Sequence, residues 1–183
     1  MVAKMLASLN KTKPFLGVAL DDTSQDLEII LALKAASAAI ERETNRSYEH
    51  KPYRQTLDGS GTQFLRLRNF PVHSVSMLKV EGKEQDSGSF VIESENGMLF
   101  RRSGWPCGAR LIDVEYLAGY ILPSDEAGAP EATLPENIQL ACIMFAQMLL
   151  RSPGVKSERV GDISVTYDDS KGLPDVVKAL IQL

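Results

Sequence analysis

Histidine and cysteine are scarce in this chain, with two of each in 183 residues. His50 stands beside Lys51 and Pro52, and His73 follows Pro71 closely. Neither has a carboxylate or thiol at ligand or triad spacing, so the sequence predicts no zinc site and no histidine-activated nucleophile. Cys107 and Cys142 make no CxxC pair, so no disulfide framework is expected and a reducing compartment fits. Long apolar runs are missing too. The most apolar stretch, residues 140–150, is broken by Gln147 and is too short to span a bilayer. Lys4, Lys11 and Lys13 are scattered with no apolar core between them, so no signal peptide is expected. A basic excess is also lacking. A net charge of −4 and a pI near 5.3 argue against a chain whose main task is gripping nucleic acid. Internal repeats and low-complexity tracts are absent from the sequence.

What remains is a globular composition, 44% hydrophobic and 24% charged, which excludes wholesale disorder. The length suits one domain with its own core. Ile29, Leu33, Ala36 and Ile40 recur at helical spacing and predict a helix over about 24–44. Asp22, Thr23 and Ser24 are candidate N-caps, with Gln25 or Asp26 completing a capping box, and Asn45 is the expected left-handed C-cap. Alanines at 32, 35, 36, 38 and 39 keep one side of this helix thin, which allows close packing of a neighbour. A short helix over 8–17 would be kinked or ended by Pro14.

The middle of the chain reads as β. Residues 53–57 and 64–67 flank Asp58-Gly59-Ser60-Gly61 and predict a hairpin. Val72, Val75 and Val80 mark another strand. Residues 90–92 and 98–100 predict a second hairpin across Glu95-Asn96-Gly97, and residues 111–117 alternate as a further strand. A Pro-, Gly- and acid-rich connector covers 121–133. Thr133-Leu134-Pro135-Glu136 then opens a helix running to about Arg151. From Leu140 to Leu150 that helix is apolar on nearly every face, so core, partner subunit or both must cover it. Ile163, Val165 and Tyr167 alternate as a short strand, and a short helix over 173–182 ends the chain. Strands gathered in the middle, rather than alternating with helices, define an α+β class. The expected architecture is two long helices packed together, a mid-chain antiparallel β region, and a short C-terminal strand and helix. The chain is read as a single domain, 1–183, with the β-rich insertion at about 50–120.

Candidate chemistry is thin. Asp58-Gly59-Ser60-Gly61 lacks the Lys-Ser/Thr of a P-loop and precedes no helix. Asp21-Asp22 and Asp168-Asp169 read as caps and solvated surface rather than a divalent-ion site. Cys107, next to Trp105-Pro106, has no histidine partner and reads as a packed residue after a turn. Arg66, Arg68, Arg101 and Arg102, with Phe64, Phe70 and Phe100, are the residue types that stack single-stranded nucleic acid, and they sustain an alternative reading as a small nucleic-acid-binding module. A small hydrolase or metal enzyme using the acid pairs or Cys107 is the third reading.

Six motifs in order carry a resemblance. Leu33-Lys34-Ala35-Ala36-Ser37-Ala38-Ala39-Ile40-Glu41, then Thr44-Asn45-Arg46, resembles the first helix of phage head-tail connectors, with Asn45 where that family usually has glycine. Arg68-Asn69-Phe70-Pro71-Val72-His73-Ser74-Val75 resembles its apolar-Pro-x-x-Ser-Val strand entry. Val114-Glu115-Tyr116-Leu117-Ala118-Gly119-Tyr120 resembles its V-x-Y-x-A-G-Y strand end, and Leu134-Pro135-Glu136-Asn137-Ile138 the start of its second long helix. Ser157 to Tyr167 resembles its E-x-x-G-x-x-S-V-x-Y strand, and Leu173-Pro174 precedes a C-terminal helix as in the family. The resemblance covers residues 8–182.

It implies a non-catalytic virion protein without cofactor or metal, assembling in the bacterial host cytoplasm and residing in the virion neck. It further implies a homo-oligomeric ring, dodecameric in the virion, that docks on the portal protein and receives a head-closure or tail protein. DNA would pass through the ring without specific binding, and no membrane is involved. A modestly acidic chain suits such a channel, because like charge resists sticking. The C-terminal helix is too short to be stable alone, so its apolar residues must pack on their own domain or on a partner. Val176, Val177, Leu180 and Ile181, with Ile163, Val165 and Tyr167, are the candidate partner or subunit interface.

Overall fold

The computed structural model describes residues 5–151, 157–160, 163–166 and 172–182. Among these residues there are four helices: α1 (Leu9–Leu16), α2 (Asp26–Glu43), α3 (Glu136–Arg151) and α4 (Asp175–Ile181). The strands are β1 (Lys51–Ser60), β2 (Phe64–Arg66), β3 (Val72–Val80), β4 (Lys83–Glu84), β5 (Val91–Glu93), β6 (Met98–Phe100), β7 (Cys107–Ala118), β8 (Ser157–Val160) and β9 (Ile163–Thr166). The pairings between these strands are all antiparallel, and an isolated parallel bridge joins Glu49 to Tyr120. The class is therefore α+β, with a correction on helix length. The two main helices have 18 and 16 residues, ordinary lengths rather than long ones, and the C-terminal strand is a hairpin of β8 and β9.

Contacts divide the chain into two units: residues 1–45 with 122–183, and residues 46–121. In the helical unit, α2 and α3 pack through small residues. Ala32, Ala36 and Ser37 on α2, with Ala141, Cys142 and Ala146 on α3, are all buried. Small side chains let the two backbones approach, and larger Ile29, Leu33, Ile40 and Ile138 fill the rest. Ser37 is the polar pin of this contact. Its hydroxyl donates to Leu33 O at 2.7 Å, accepts from the Leu6 N–H at 2.9 Å and lies 3.4 Å from Cys142 Sγ. The N-terminal segment is thereby tied to the helix pair.

The expected capping box of α2 does not form. Gln25 occupies the N-cap without a side-chain bond, and Asp22 instead accepts from the Ser24 N–H at 3.0 Å, just before the helix. α1 is capped from afar: Asp125, in the connector, accepts from the Leu9 N–H at 2.7 Å, placing a carboxylate where the helix N-terminus favours one. Pro14 sits inside α1 rather than ending it; the helix ends at Gly17 in the left-handed region.

Lys13 is a buried cation. Its side chain is 2% exposed, and Nζ lies 2.6 Å from Asp26 Oδ1 and donates to Leu20 O at 3.1 Å. One ammonium thus joins α1, the following loop and the start of α2. Lys13→Met should lower stability by about 1–3 kcal/mol in denaturant melts. That lies below the full cost of breaking a buried pair because Asp26 is partly exposed and can rehydrate. No change in the helical unfolding midpoint would refute a structural role for the pair.

In the β unit the main sheet has the order β1-β7-β3-β4, and a second has β2-β6-β5. The hairpin expected across residues 58–61 is not there. β1 continues through those residues and pairs with β7, from Lys51 opposite Ala118 to Ser60 opposite Cys107. Gly59 makes this possible, because a Cβ at that position would lie 2.0 Å from Pro106 O. The second expected hairpin does form, as β5 and β6, with Gly97 at φ 63. Ile112, Val114, Tyr116 and Ala118 on β7 alternate inward and centre the core with Leu65, Leu67, Val72, Leu78, Leu99 and Trp105.

Candidate assembly surfaces

Arg46 leads the chain into the β unit. Its guanidinium carbon stands 3.5 Å from the Phe70 ring centre and 4.5 Å from that of Tyr48, and Nη2 donates to Phe70 O at 2.5 Å. Burial pulls its pKa below the ordinary value, opposed mainly by the neighbouring Tyr48 and Tyr120 hydroxyls. Asn45 before it adopts φ 50, the left-handed cap expected from the sequence. Nearby, Asn69 Oδ1 accepts from the Ser47 N–H at 2.7 Å, and the Tyr116 hydroxyl joins Asn69 to Gln55. Asn45, Arg46, Asn69, Phe70, Tyr116 and Tyr120 belong to the motifs that resemble head-tail connectors, and their contacts hold the fold together.

The two histidines, 23 positions apart, stack at 4.7 Å between ring centres, and His73 Nε2 lies 2.8 Å from Gly119 O. Sequence spacing gave no sign of this, since the two residues meet only after β3 pairs with β7. Among the described residues no group of three or more His, Cys, Asp or Glu is placed to hold a metal ion. Also among them, no helix is long and apolar enough to cross a membrane. A cleft of about 370 Å³ runs between β3 and the segment 84–90, lined by Met77, Gln85, Asp86 and Phe90 among others.

The arginines of the alternative reading are in part engaged. Arg101 donates to Gln85 Oε1 at 3.1 Å and lies 5.5 Å from the Trp105 ring centre. Phe64 and Phe100 pack on each other at 5.3 Å as a cross-strand pair. Arg66, Arg68 and Arg102 are exposed.

The two thiols differ sharply. Cys107 is exposed, whereas Cys142 is buried, and burial pushes its thiol from 9.0 up to about 11. At neutral pH a maleimide should label one thiol in the folded chain and two in denaturant, read by intact mass; two labels on the folded chain would refute the burial. Below pH 9 the Cys142 thiol is neutral in both states. Between pH 9 and 11 only the unfolded chain ionises, so its contribution to stability is lost as pH rises through that window.

The C-terminal residues fall into different settings. Val177 and Ile181 are buried with Leu173, and α4 packs on α3. Leu180 is half-buried, and its carbonyl accepts from Asn137 Nδ2 at 2.7 Å. Val176 faces out, 49% exposed. Ile163 and Val165 lie on β9 opposite Val160 and Glu158. Tyr167, Asp168 and Asp169 lie outside the described residues.

The helical unit also exposes apolar side chains that the sequence reading did not single out. On α2 these are Leu27 and Leu31, 70% and 56% exposed; on α3 they are Leu140, Met148 and Leu149. Phe145 on α3 is half-buried. The available signal was a second series at helical spacing on α2, 27-31-35, offset from the one that forms the core.

An α+β chain with this pairing of helices and antiparallel sheets has solved counterparts. A chain in the neck of an empty gene transfer agent particle, computed with C6 symmetry, superposes with a TM-score of 0.54 at 19% identity, over 93% of this chain and 86% of that one. A chain of the virion of the native gene transfer agent particle gives 0.55 at 18% identity, over 99% and 93%. One in the native neck computed with C12 symmetry gives 0.52 at 18% identity with the same coverage. These likenesses establish a shared fold. No curated protein matches the chain. The profile of the head completion proteins matches residues 5–183, and the chain belongs to that family. It is accordingly a bacteriophage-type structural protein of virion assembly, with a role in head completion.

Proposed function

We propose that the chain forms a ring in the virion neck, twelve copies in the mature particle, which docks on the portal protein and receives a head-closure or tail protein below. It does so without catalysis. The observation that carries this reading is family membership across both units, from residue 5 to the C-terminus. The symmetric necks in which its structural counterparts sit support a ring. DNA passes through the channel without specific binding, in keeping with the net charge of −4.

The C-terminal segment is the proposed docking element toward the portal or a neighbouring subunit. Val176 is the apolar residue of α4 already available to a partner; Val177 and Ile181 fill the chain's own core while α4 stays on α3. Co-sedimentation with the portal protein of the same phage tests the reading. The full chain is expected to travel with the portal, and Val176→Glu to weaken that association while leaving the circular dichroism melt unchanged. A folded chain that never travels with the portal would overturn portal docking. Unaltered association of the Val176→Glu variant would overturn the role of α4.

A further inference from the structure

We infer that the subunits of the ring meet head to tail through two helix faces: the outer face of α2 on one copy and the outer face of α3 on the next. This inference rests on the ring reading above and names the surfaces that close it.

The placement follows from the helical repeat. At 100° per residue, positions i, i+4, i+8 and i+11 fall within about 80° of one another and form a stripe. On α2 that series is Leu27, Leu31, Ala35 and Ala38, all exposed. On α3 it is Leu140, Met144 and Met148, ending at Arg151. Each stripe lies on the side of its helix away from the buried face. Because α2 and α3 pack on each other through those buried faces, as the Ser37–Cys142 contact shows, the two stripes point in opposite directions.

Opposite-pointing, unlike apolar faces are what a cyclic assembly needs. A two-fold dimer uses one patch against its own copy, whereas a ring uses two different patches on each subunit. The stripes are also complementary in shape. Ala35 and Ala38 leave the far half of the α2 stripe low, while Met144 and Met148 are long, unbranched and adaptable. Leu140 and Met148 are exposed like the whole α2 stripe, and Met144 between them is half-buried.

The size of the contact decides how it behaves. Helices of 16 and 18 residues are about 24–27 Å long. One such pairing covers only part of the roughly 800 Å² per partner of a stable two-body interface. A single contact is therefore weak, and the closed ring, in which every subunit makes two, is the stable species. The free subunit is therefore expected to stay dispersed until concentration or a template gathers it.

The test is crosslinking in a Cys107→Ser background, with Cys142 buried. Leu31→Cys and Met144→Cys stand at the middles of the two stripes, so they face each other whichever way the helices run. With a short bismaleimide and the portal present, the double variant should give a ladder of multimers, and each single variant none. Dimers from either single variant would mean two-fold pairing and overturn the inference. No ladder from rings that native mass spectrometry detects would also overturn it and leave the ring reading standing. No ladder and no ring would overturn both. As an independent arm, Leu31→Glu, at a solvent-exposed position, should keep the wild-type melt and lose rings; rings that persist would contradict the assignment.

Discussion

Gly119→Ala is expected to unfold the β unit at markedly lower denaturant concentration, with a loss of about 3–5 kcal/mol. Gly119 closes β7 at φ 98, where an L side chain is strained, and a Cβ there would lie 2.3 Å from Glu49 O and 2.8 Å from Tyr48 O. Both obstacles are backbone atoms, so no rotamer change relieves the clash. The dihedral alone costs about 1–3 kcal/mol, and displacing the strand adds to it. The displaced contacts are themselves structural. The Tyr120 N–H donates to Tyr48 O at 2.7 Å, the His50 N–H to Tyr120 O at 2.8 Å, and the Gly119 N–H to Pro71 O at 3.0 Å. The single tryptophan, Trp105, is buried in this unit, so its emission follows β-unit unfolding. A tryptophan midpoint equal to that of the unaltered chain would show that the strand end tolerates a Cβ and would refute this account.

Arg46→Ala should cost about 3–4 kcal/mol by the same readout. Two aromatic faces and one carbonyl hold the guanidinium away from water, where each cation–π contact is worth up to about 2 kcal/mol and a charged hydrogen bond about 1.5–3 kcal/mol before the loss of competing hydration. Arg46→Lys should recover less than half of that loss. A lysine carries the charge but has no planar group to lie between Tyr48 and Phe70. Full recovery by lysine would show that charge alone matters and would remove the stacking account.

These two residues also show what was legible in the sequence. Both belong to motifs that resemble head-tail connectors, and both prove to be constraints on the backbone path. Asn45 takes the left-handed conformation that its glycine-like position demands, Arg46 turns the chain into the β unit, and Gly119 lets β7 end against residues 48 and 49. Periodicity marked α2 and α3 to within about two residues, because a helix with a small-residue face and a proline at its start announces itself locally. The Asn96-Gly97 hairpin was equally local.

What stayed hidden was non-local. Alternation in residues 53–57 says which side chains share a face and nothing about the strand opposite, so β1 was assigned to a nearby partner and found one more than 50 residues away in β7. Nothing local in the sequence marks Lys13 as buried, because only the fold brings Asp26 against it. The outer stripe of α3 was hidden for a different reason: when a helix is apolar all round, periodicity cannot separate the face that the domain covers from the one left for a partner. On α2 the second series, 27-31-35, was there to be read. The C-terminal residues were chosen for being apolar on a short helix, and Val177 and Ile181 turn out to serve the chain's own core.

The central claim is a ring seated on the portal. Electron microscopy of the purified chain mixed with the portal protein of the same phage, averaged in views down the axis, tests it most directly. The account predicts a closed ring of twelve 20.1 kDa subunits added to one face of the portal. Portal particles indistinguishable from those imaged alone, with this chain remaining a free monomer at saturating concentration, would contradict it.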